Sequence, residues 1–218
     1  MSAPLLRTSP LEPWQRARGA RLVPRDGGLI AADLGDLAAE RAACADLALA
    51  DLSPLWRWGL KGPGTIEWAQ AQGTVVPDAP NRAAPQPPGG LVLRLAPREL
   101  LWLGCGQGLD LAWERGEGRR GWPLLRAHGH AWLVLAGRRA PDLLARVCAL
   151  DLRPHKVPPL AVAQTRALGL SVILVRAPGP GLRYDLLLDS AAAAWAWRTL
   201  LVELEDLGGR PVGADALA

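Results

Sequence analysis

Ser171-Val172-Ile173-Leu174-Val175-Arg176-Ala177-Pro178-Gly179-Pro180-Gly181-Leu182-Arg183-Tyr184-Asp185-Leu186-Leu187-Leu188 is the stretch that decides the fold. Ser171 to Arg176 and Leu182 to Leu188 read as two strands rich in β-branched and large apolar residues. Between them, Ala177-Pro178-Gly179-Pro180-Gly181 is too short for a crossover helix. The two strands therefore pair antiparallel.

Working outward, the same grammar recurs. Leu91 to Leu95 and Glu99 to Leu103 form a second strand pair, hinged at Ala96-Pro97-Arg98. Arg57 to Lys61 reads as a strand that turns at Gly62-Pro63-Gly64 into a helix carrying Ile66, Trp68 and Ala69. Ala131 to Ala136 reads as a strand followed by a helix begun by Pro141 and Asp142 and carrying Leu143, Leu144, Val147 and Leu150. Pro is tolerated in a first helical turn, where its missing N–H has no partner in any case. Trp56 to Gly62 and Ala131 to Gly137 thus echo one another, each a strand closed by Gly, a turn and a helix, which suggests two related halves. Asp36 reads as the N-cap of a helix running from Leu37 towards Ala45. Residues 1–35 read as an extended lead-in, and Asp78 to Gly90, with its four prolines, as a loop. Glu114 to Gly121 reads as a polar, glycine-rich loop.

The last helix has the clearest pattern. Ser190 reads as its cap, and Ala193, Trp197, Leu200, Leu204 and Leu207 recur at three- and four-residue steps, so they share one face. Trp195 and Val202 project from the opposite face, among Arg198, Glu205 and Asp206. Trp195, Val202 and Arg198 are the interface candidates, because a docked Trp buries well over about 150 Å2. The fold class is α+β, antiparallel sheets with packed helices. The domains are a lead-in over 1–36, one domain over 37–207 and a C-terminal tail over 208–218.

Composition narrows the function. The 218 residues are 50% apolar and 21% charged, which excludes a disordered chain. No apolar run is long enough to span a bilayer and the first residues lack a signal-peptide pattern, so a cytoplasmic protein with no membrane partner is expected. Lys and Arg total 25, but only Lys61 and Lys156 are Lys, and Phe is absent beside ten Trp. This is the residue usage of a GC-rich genome. A net charge of +4 without long basic runs does not call for a nucleic-acid partner. Arg119-Arg120 and Arg138-Arg139 read as solvated turns. Cys44, Cys105 and Cys148 are widely spaced, form no zinc pattern and read as reduced structural residues.

No catalytic set assembles. Leu103-Gly104-Cys105-Gly106-Gln107-Gly108 resembles the glycine loop of S-adenosylmethionine-dependent methyltransferases, but Trp102 replaces the expected acid and no doubly wound pattern follows. A hairpin turn is the simpler reading. His128 and His130 lack acidic or Cys neighbours for a metal, and His155 stands apart. Asp151 reads as a turn residue, and no serine sits in a nucleophile elbow.

Two blocks carry a family resemblance. Asp51-Leu52-Ser53, Arg57 and Lys61-Gly62-Pro63 resemble the D-L-S…R…K/S-G-P segment of the glycine-cleavage aminomethyltransferase superfamily. Cys148-Ala149-Leu150-Asp151-Leu152-Arg153-Pro154, followed by Ala163-Gln164-Thr165 and the strand through Val172 to Arg176, is similar to the C-x-L-D-L-x-P … A-Q-T pattern of the sarcosine oxidase gamma subunit. Ser190 to Leu200, with its Ala-x-x-Trp spacing, fits the end of that family. The resemblance runs over residues 37–207 and is weakest between Asp78 and Trp122.

The resemblance implies an aminomethyltransferase-like, folate-binding-domain fold. It also implies a non-catalytic gamma-type subunit of a heterotetrameric flavoenzyme that oxidises N-methyl amino acids such as sarcosine. FAD, FMN, NAD and tetrahydrofolate are then expected on partner subunits and none on this chain. The partners are large alpha and beta flavoprotein chains and a small zinc-binding delta chain. The folate-dependent transferases place an essential acid after the proline-rich loop, whereas no Asp or Glu occurs here between Asp78 and Glu99. The three cysteines do not reproduce the motif of the related folate-binding assembly factors. A folate-dependent one-carbon enzyme or assembly factor is the alternative, and a methyltransferase using Gly104 to Gly108 the further one.

Overall fold

A computed structural model describes residues 6–87, 89–105, 108–116 and 121–218. The chain opens with α1 (Glu12–Ala17), the hairpin β1 (Arg21–Arg25) and β2 (Gly28–Asp33), then α2 (Leu37–Asp46) and β3 (Ala48–Asp51). Next come β4 (Arg57–Lys61), α3 (Thr65–Ala71), β5 (Arg82–Pro85), β6 (Leu91–Ala96), β7 (Glu99–Leu103) and α4 (Leu109–Glu114). β8 (Trp122–Leu124) and α5 (Arg126–Gly129) lead into β9 (His130–Ala136), α6 (Ala140–Val147), β10 (Val162–Ala167), β11 (Leu170–Arg176) and β12 (Arg183–Asp189). α7 (Ala193–Asp206) and β13 (Arg210–Val212) follow.

The topology makes the internal echo explicit. One sheet runs β5-β6-β7-β4-β8 and the other β10-β11-β12-β9-β3-β13. In each, a strand (β4 or β9) leads through a glycine turn to a helix (α3 or α6). Three antiparallel strands follow, and the last of them returns beside the first. Gly62 and Gly137 occupy the same place in the two units, with φ of 117° and 107°. These angles lie where a side chain is strongly disfavoured, so both turns require Gly.

Alternation along the strands sorts the side chains into layers. Leu133 and Leu135 of β9 and Tyr184, Leu186 and Leu188 of β12 face α6 and α7. Trp58 and Leu60 of β4 and Leu100 and Trp102 of β7 face α3 and α4. Leu93, Leu101, Val134, Val175 and Leu187 meet in the space between the sheets. The result is helix, sheet, sheet, helix, with β9 and β12 covered on both faces. That double covering explains why these strands read as continuous apolar runs.

The α+β class with antiparallel pairing holds, and Asp36 caps α2 by accepting from the Ala39 N–H at 3.0 Å. Several local expectations change. The described part of the supposed extended lead-in folds into α1 and the β1–β2 hairpin, and its Ile30 is fully buried. Within Asp78 to Gly90, β5 forms an edge strand ending at Pro85, a place where the missing N–H costs nothing. Of Glu114 to Gly121, residues 117–120 lie outside the described residues, as does the Arg119-Arg120 doublet. Leu150 falls beyond the end of α6 and is exposed. Ser190 is not a cap, because its hydroxyl donates to the His128 carbonyl at 2.7 Å. Asp189 instead accepts from the Ala191 N–H at 2.9 Å and starts a short 3-10 turn that runs into α7.

Candidate functional site

The residues that carry the resemblance turn out to be structural. Asp51, at the end of β3, is buried and accepts from the Ser9 hydroxyl, from Gln15 Nε2 at 2.8 Å and from the Ser53 N–H at 2.9 Å. Ser53 Oγ in turn accepts from the Trp132 N–H at 3.0 Å. Arg57 is 1% exposed and donates to the carbonyls of Leu55, Ala127 and His130, each at 2.8 Å. Burial pushes its guanidinium down to about 10, against the pull of Asp51. Burial likewise raises the Asp51 carboxyl above the usual range. This set ties the N-terminal segment and α5 to both sheets.

Gln164 does the same at the other end, donating to the Leu95 carbonyl at 2.7 Å and to Asn81 Oδ1 at 3.0 Å. Asp151 is a turn residue, held below the usual carboxylate range by its hydrogen bonds with Arg153. In the Arg138-Arg139 doublet, Arg138 pairs with Asp46 at 2.7 Å and Arg139 donates to the Leu207 carbonyl at the end of α7 at 2.5 Å.

Two cavities open at opposite ends of the space between the sheets, at places the internal repeat makes equivalent. The first, of about 380 Å3, is lined by Leu91, Leu103, Trp132, Arg183, Asp185 and Leu217 among others. Asp185 Oδ1 accepts from Trp132 Nε1 and from Arg183, both at 2.8 Å, while Oδ2 has no partner among the described residues. A buried carboxylate is costly unless its oxygens are met, so this is the chemically open position of the cavity. The second, of about 540 Å3, is lined by Leu95, Glu99, Arg126, His130, Gln164 and Leu187 among others. Its carboxylate is satisfied: Glu99 pairs with Arg126 at 2.9 Å and Lys61 at 3.2 Å.

Asp185 and Arg183 were missed by the sequence reading. The available signal was one acid in an otherwise apolar strand, Tyr184-Asp185-Leu186-Leu187-Leu188, since a charge there must be paired or functional. The acid that the folate-dependent transferases place near β6 has no counterpart: Leu91, Leu93 and Leu95 are the β6 residues that face the inter-sheet layer. The glycine loop after β7 is only partly described, Gly106 and Gln107 lying outside the described residues. Gly90 is a position of close packing, where a Cβ would sit 2.4 Å from the Leu103 carbonyl oxygen, and Gly104 has a positive φ of 63°. β7 lies in an antiparallel sheet, so the doubly wound sheet required by the methyltransferase reading is absent from the described residues.

No cluster of three or more metal-ligating side chains occurs among the described residues. Burial, Arg126 and Arg57 together hold His130 down to about 4. Its unfolded imidazole protonates near pH 6.5, so folding disfavours the charged form and stability is lost as pH falls from about 6.5 towards about 4. Asp51 acts in the opposite sense. His130→Gln is therefore expected to flatten the fall between these limits, read as the urea midpoint against pH. An unchanged slope would remove His130 from the account.

Trp195 and Val202 are 45% and 66% exposed on α7, with exposed Arg198 beside them. Comparable exposure occurs at Trp122 (65%), the first residue of the edge strand β8, and at Leu125 (76%) just after it, neither of which the sequence singled out.

No protein-family model and no curated protein matches the chain. Among solved structures, the glycine cleavage system aminomethyltransferase T from Bartonella henselae aligns with 97% of this chain at a TM-score of 0.73 and 17% identity. The fold is that of the aminomethyltransferases. The chain spans only 61% of that enzyme's length. A chain of the heterotetrameric sarcosine oxidase from Corynebacterium sp. U-96, in complex with pyrrole 2-carboxylate, aligns with 78% of this chain at a TM-score of 0.66 and 23% identity. That alignment covers 92% of the oxidase chain, so the matched subunit is no longer than this one. At these identities the likeness establishes the shared fold.

Proposed function

We propose that this aminomethyltransferase-like chain is a non-catalytic, gamma-type subunit of a heterotetrameric sarcosine-oxidase-like complex that oxidatively demethylates N-methyl amino acids. The observation that carries the reading is the contrast in coverage: 92% of an oxidase chain against 61% of an aminomethyltransferase. The fate of the motif residues supports it. Asp51, Ser53, Arg57 and Gln164 are committed to holding segments together, and the β6 position of the transferase acid is apolar. Such a subunit leaves FAD, FMN, NAD and tetrahydrofolate to its partners, the large alpha and beta chains and a small zinc-binding delta chain. We place the complex in the cytoplasm, and no described helix is long and apolar enough to cross a membrane. Deleting the gene in its native host is expected to depress oxidation of N-methyl amino acids by destabilising the large chains. Unchanged oxidase yield and activity would count against the role.

One observation favours a second reading. The open Asp185 oxygen beside Trp132 is a feature of a ligand cavity, which keeps folate binding in contention. With no carboxylate on β6, the residues do not fit the transferase chemistry, and no reaction step is derived from them. Calorimetric titration of the isolated chain with tetrahydrofolate is expected to show no saturable binding. Saturable binding that is lost in Asp185→Leu would shift the function to a folate-binding protein.

A further inference from the structure

The cavity of about 540 Å3 at the far end of the inter-sheet space plays no part in the subunit role, and its walls carry an excess of positive charge. Alternation along β10 and β11 decides which of their side chains enter it. Val162 and Val175 face the inter-sheet layer. Arg166, four residues on from Val162, therefore faces the same way, as do Ile173 and Ser171, two and four residues back from Val175. Arg166 and Ser171 are direct cross-strand partners. The other polar wall comes from Arg126 of α5 and from His130 at the start of β9, and Leu95, Ile173 and Leu187 supply an apolar wall.

The charges do not balance. Glu99 is the only acid among the described residues that line the cavity, and its two oxygens are met by Arg126 at 2.9 Å and Lys61 at 3.2 Å. Two cations on one carboxylate leave one positive charge over. Arg166 adds another, because its guanidinium donates to the Gly169 carbonyl at 2.7 Å and has no acid partner among the described residues. Arg126 Nε and His130 Nδ1 are buried without a partner as well. The internal repeat thus produces two cavities with opposite demands. The first holds an unmet acceptor, Asp185 Oδ2, and the second an unmet donor on a guanidinium. A cationic recess with unmet donors draws an anion. The apolar wall selects its kind, since inorganic phosphate would leave Leu95, Ile173 and Leu187 uncovered, whereas an organic acid covers them and fits a recess of this volume.

We propose that this cavity binds a small organic carboxylate, its charged group held between Arg126 and Arg166 and its body against Leu95, Ile173 and Leu187. Guanidinium forks match a carboxylate in charge and in shape. The full-length chain is titrated with benzoate as the probe, and the His130 ring signals are followed by NMR. The chain has three histidines, so His130→Gln assigns those signals. A saturable shift with a Kd below about 1 mM is expected, and Arg126→Gln and Arg166→Gln are each expected to raise that Kd at least about tenfold. Arg166 is exposed and gives up a single surface hydrogen bond, so its variant keeps the test sound if Arg126→Gln disturbs the fold. Arg138→Gln removes the same charge elsewhere on the surface and is expected to leave the Kd unchanged. Inorganic phosphate is expected to bind at least about tenfold more weakly than benzoate. No saturable shift, or a Kd that Arg166→Gln leaves unaltered, would overturn the proposal. An equal loss in Arg138→Gln would reduce the effect to net charge and overturn it too. Phosphate binding as tightly as benzoate would overturn the choice of an organic ligand. The subunit role stands or falls separately from all of these results.

Discussion

Gly137→Ala is expected to yield little or no soluble folded protein. An added Cβ would lie 2.3 Å from the Asp46 carbonyl oxygen and 2.8 Å from the Leu47 nitrogen, both backbone atoms at the junction of α2 and β3. The φ of 107° is itself strained for any residue with a side chain. Neither contact can be relieved by rotating a side chain, so β9, the strand shared by the β12 and β3 pairings, must shift. A loss above about 4 kcal/mol is the expected scale, a large share of the roughly 5–15 kcal/mol that holds a domain folded. Gly62→Ala supplies the control. There the nearest atoms belong to the exposed Trp122 ring, which can move, so the cost reduces mainly to backbone strain. Soluble yield and urea midpoints of the two variants check the ranking, and equal effects would contradict it.

Trp197→Ala is expected to cost about 3–5 kcal/mol, the usual penalty for emptying a buried aromatic site. Trp197 is 2% exposed between α7 and the six-stranded sheet and meets Trp14 of α1 edge-on at 5.0 Å. That contact anchors the N-terminal helix, so α1 is expected to loosen along with the core. Its indole Nε1 has no acceptor among the described residues. Trp197→Phe therefore removes an unmet donor as well as some area, and should cost far less than the Ala variant. Denaturant unfolding of the three proteins measures both steps. A Phe variant as damaged as Ala would mean that the indole N–H has a partner after all.

The two substitutions also show what the sequence discloses and what it withholds. The 3.6-residue spacing that placed Trp197 inside and Trp195 outside is a local property of one helix and survives into the structure intact. So does the strand–glycine–turn–helix echo, because glycine's need for positive φ is local as well. The short strands β3, β10 and β13 were not legible. β3 and β13 depend on neighbours far along the chain, pairing with each other across more than 150 residues, whereas β10 is the first arm of a tight hairpin with β11 whose polar, alternating residues hid it. β5 was hidden by its prolines, which an edge position forgives. The cavity suffers from the same limit. Asp185 stands out in the sequence as one acid in an apolar strand, but that its Oδ2 is buried and unmet follows only once β12 is known to lie between helices and a second sheet.

The motif D-L-S…R illustrates a different point. Read on the sequence, Asp51, Ser53 and Arg57 suggest kinship with folate-dependent transferases and, by association, chemistry. In the structure all three are buried and bonded to backbone or to the N-terminal segment. They report a shared scaffold.

The proposed role of holding a larger oxidase together is tested most directly by the native mass of what this polypeptide inhabits. Affinity purification of the full chain from its own host, followed by native mass spectrometry, is predicted to give one assembly. That assembly contains the chain in stoichiometric amount with larger flavin-bearing polypeptides, and it oxidises an N-methyl amino acid. A stable monomer emerging alone, with tetrahydrofolate bound at the Asp185 cavity, would contradict the account.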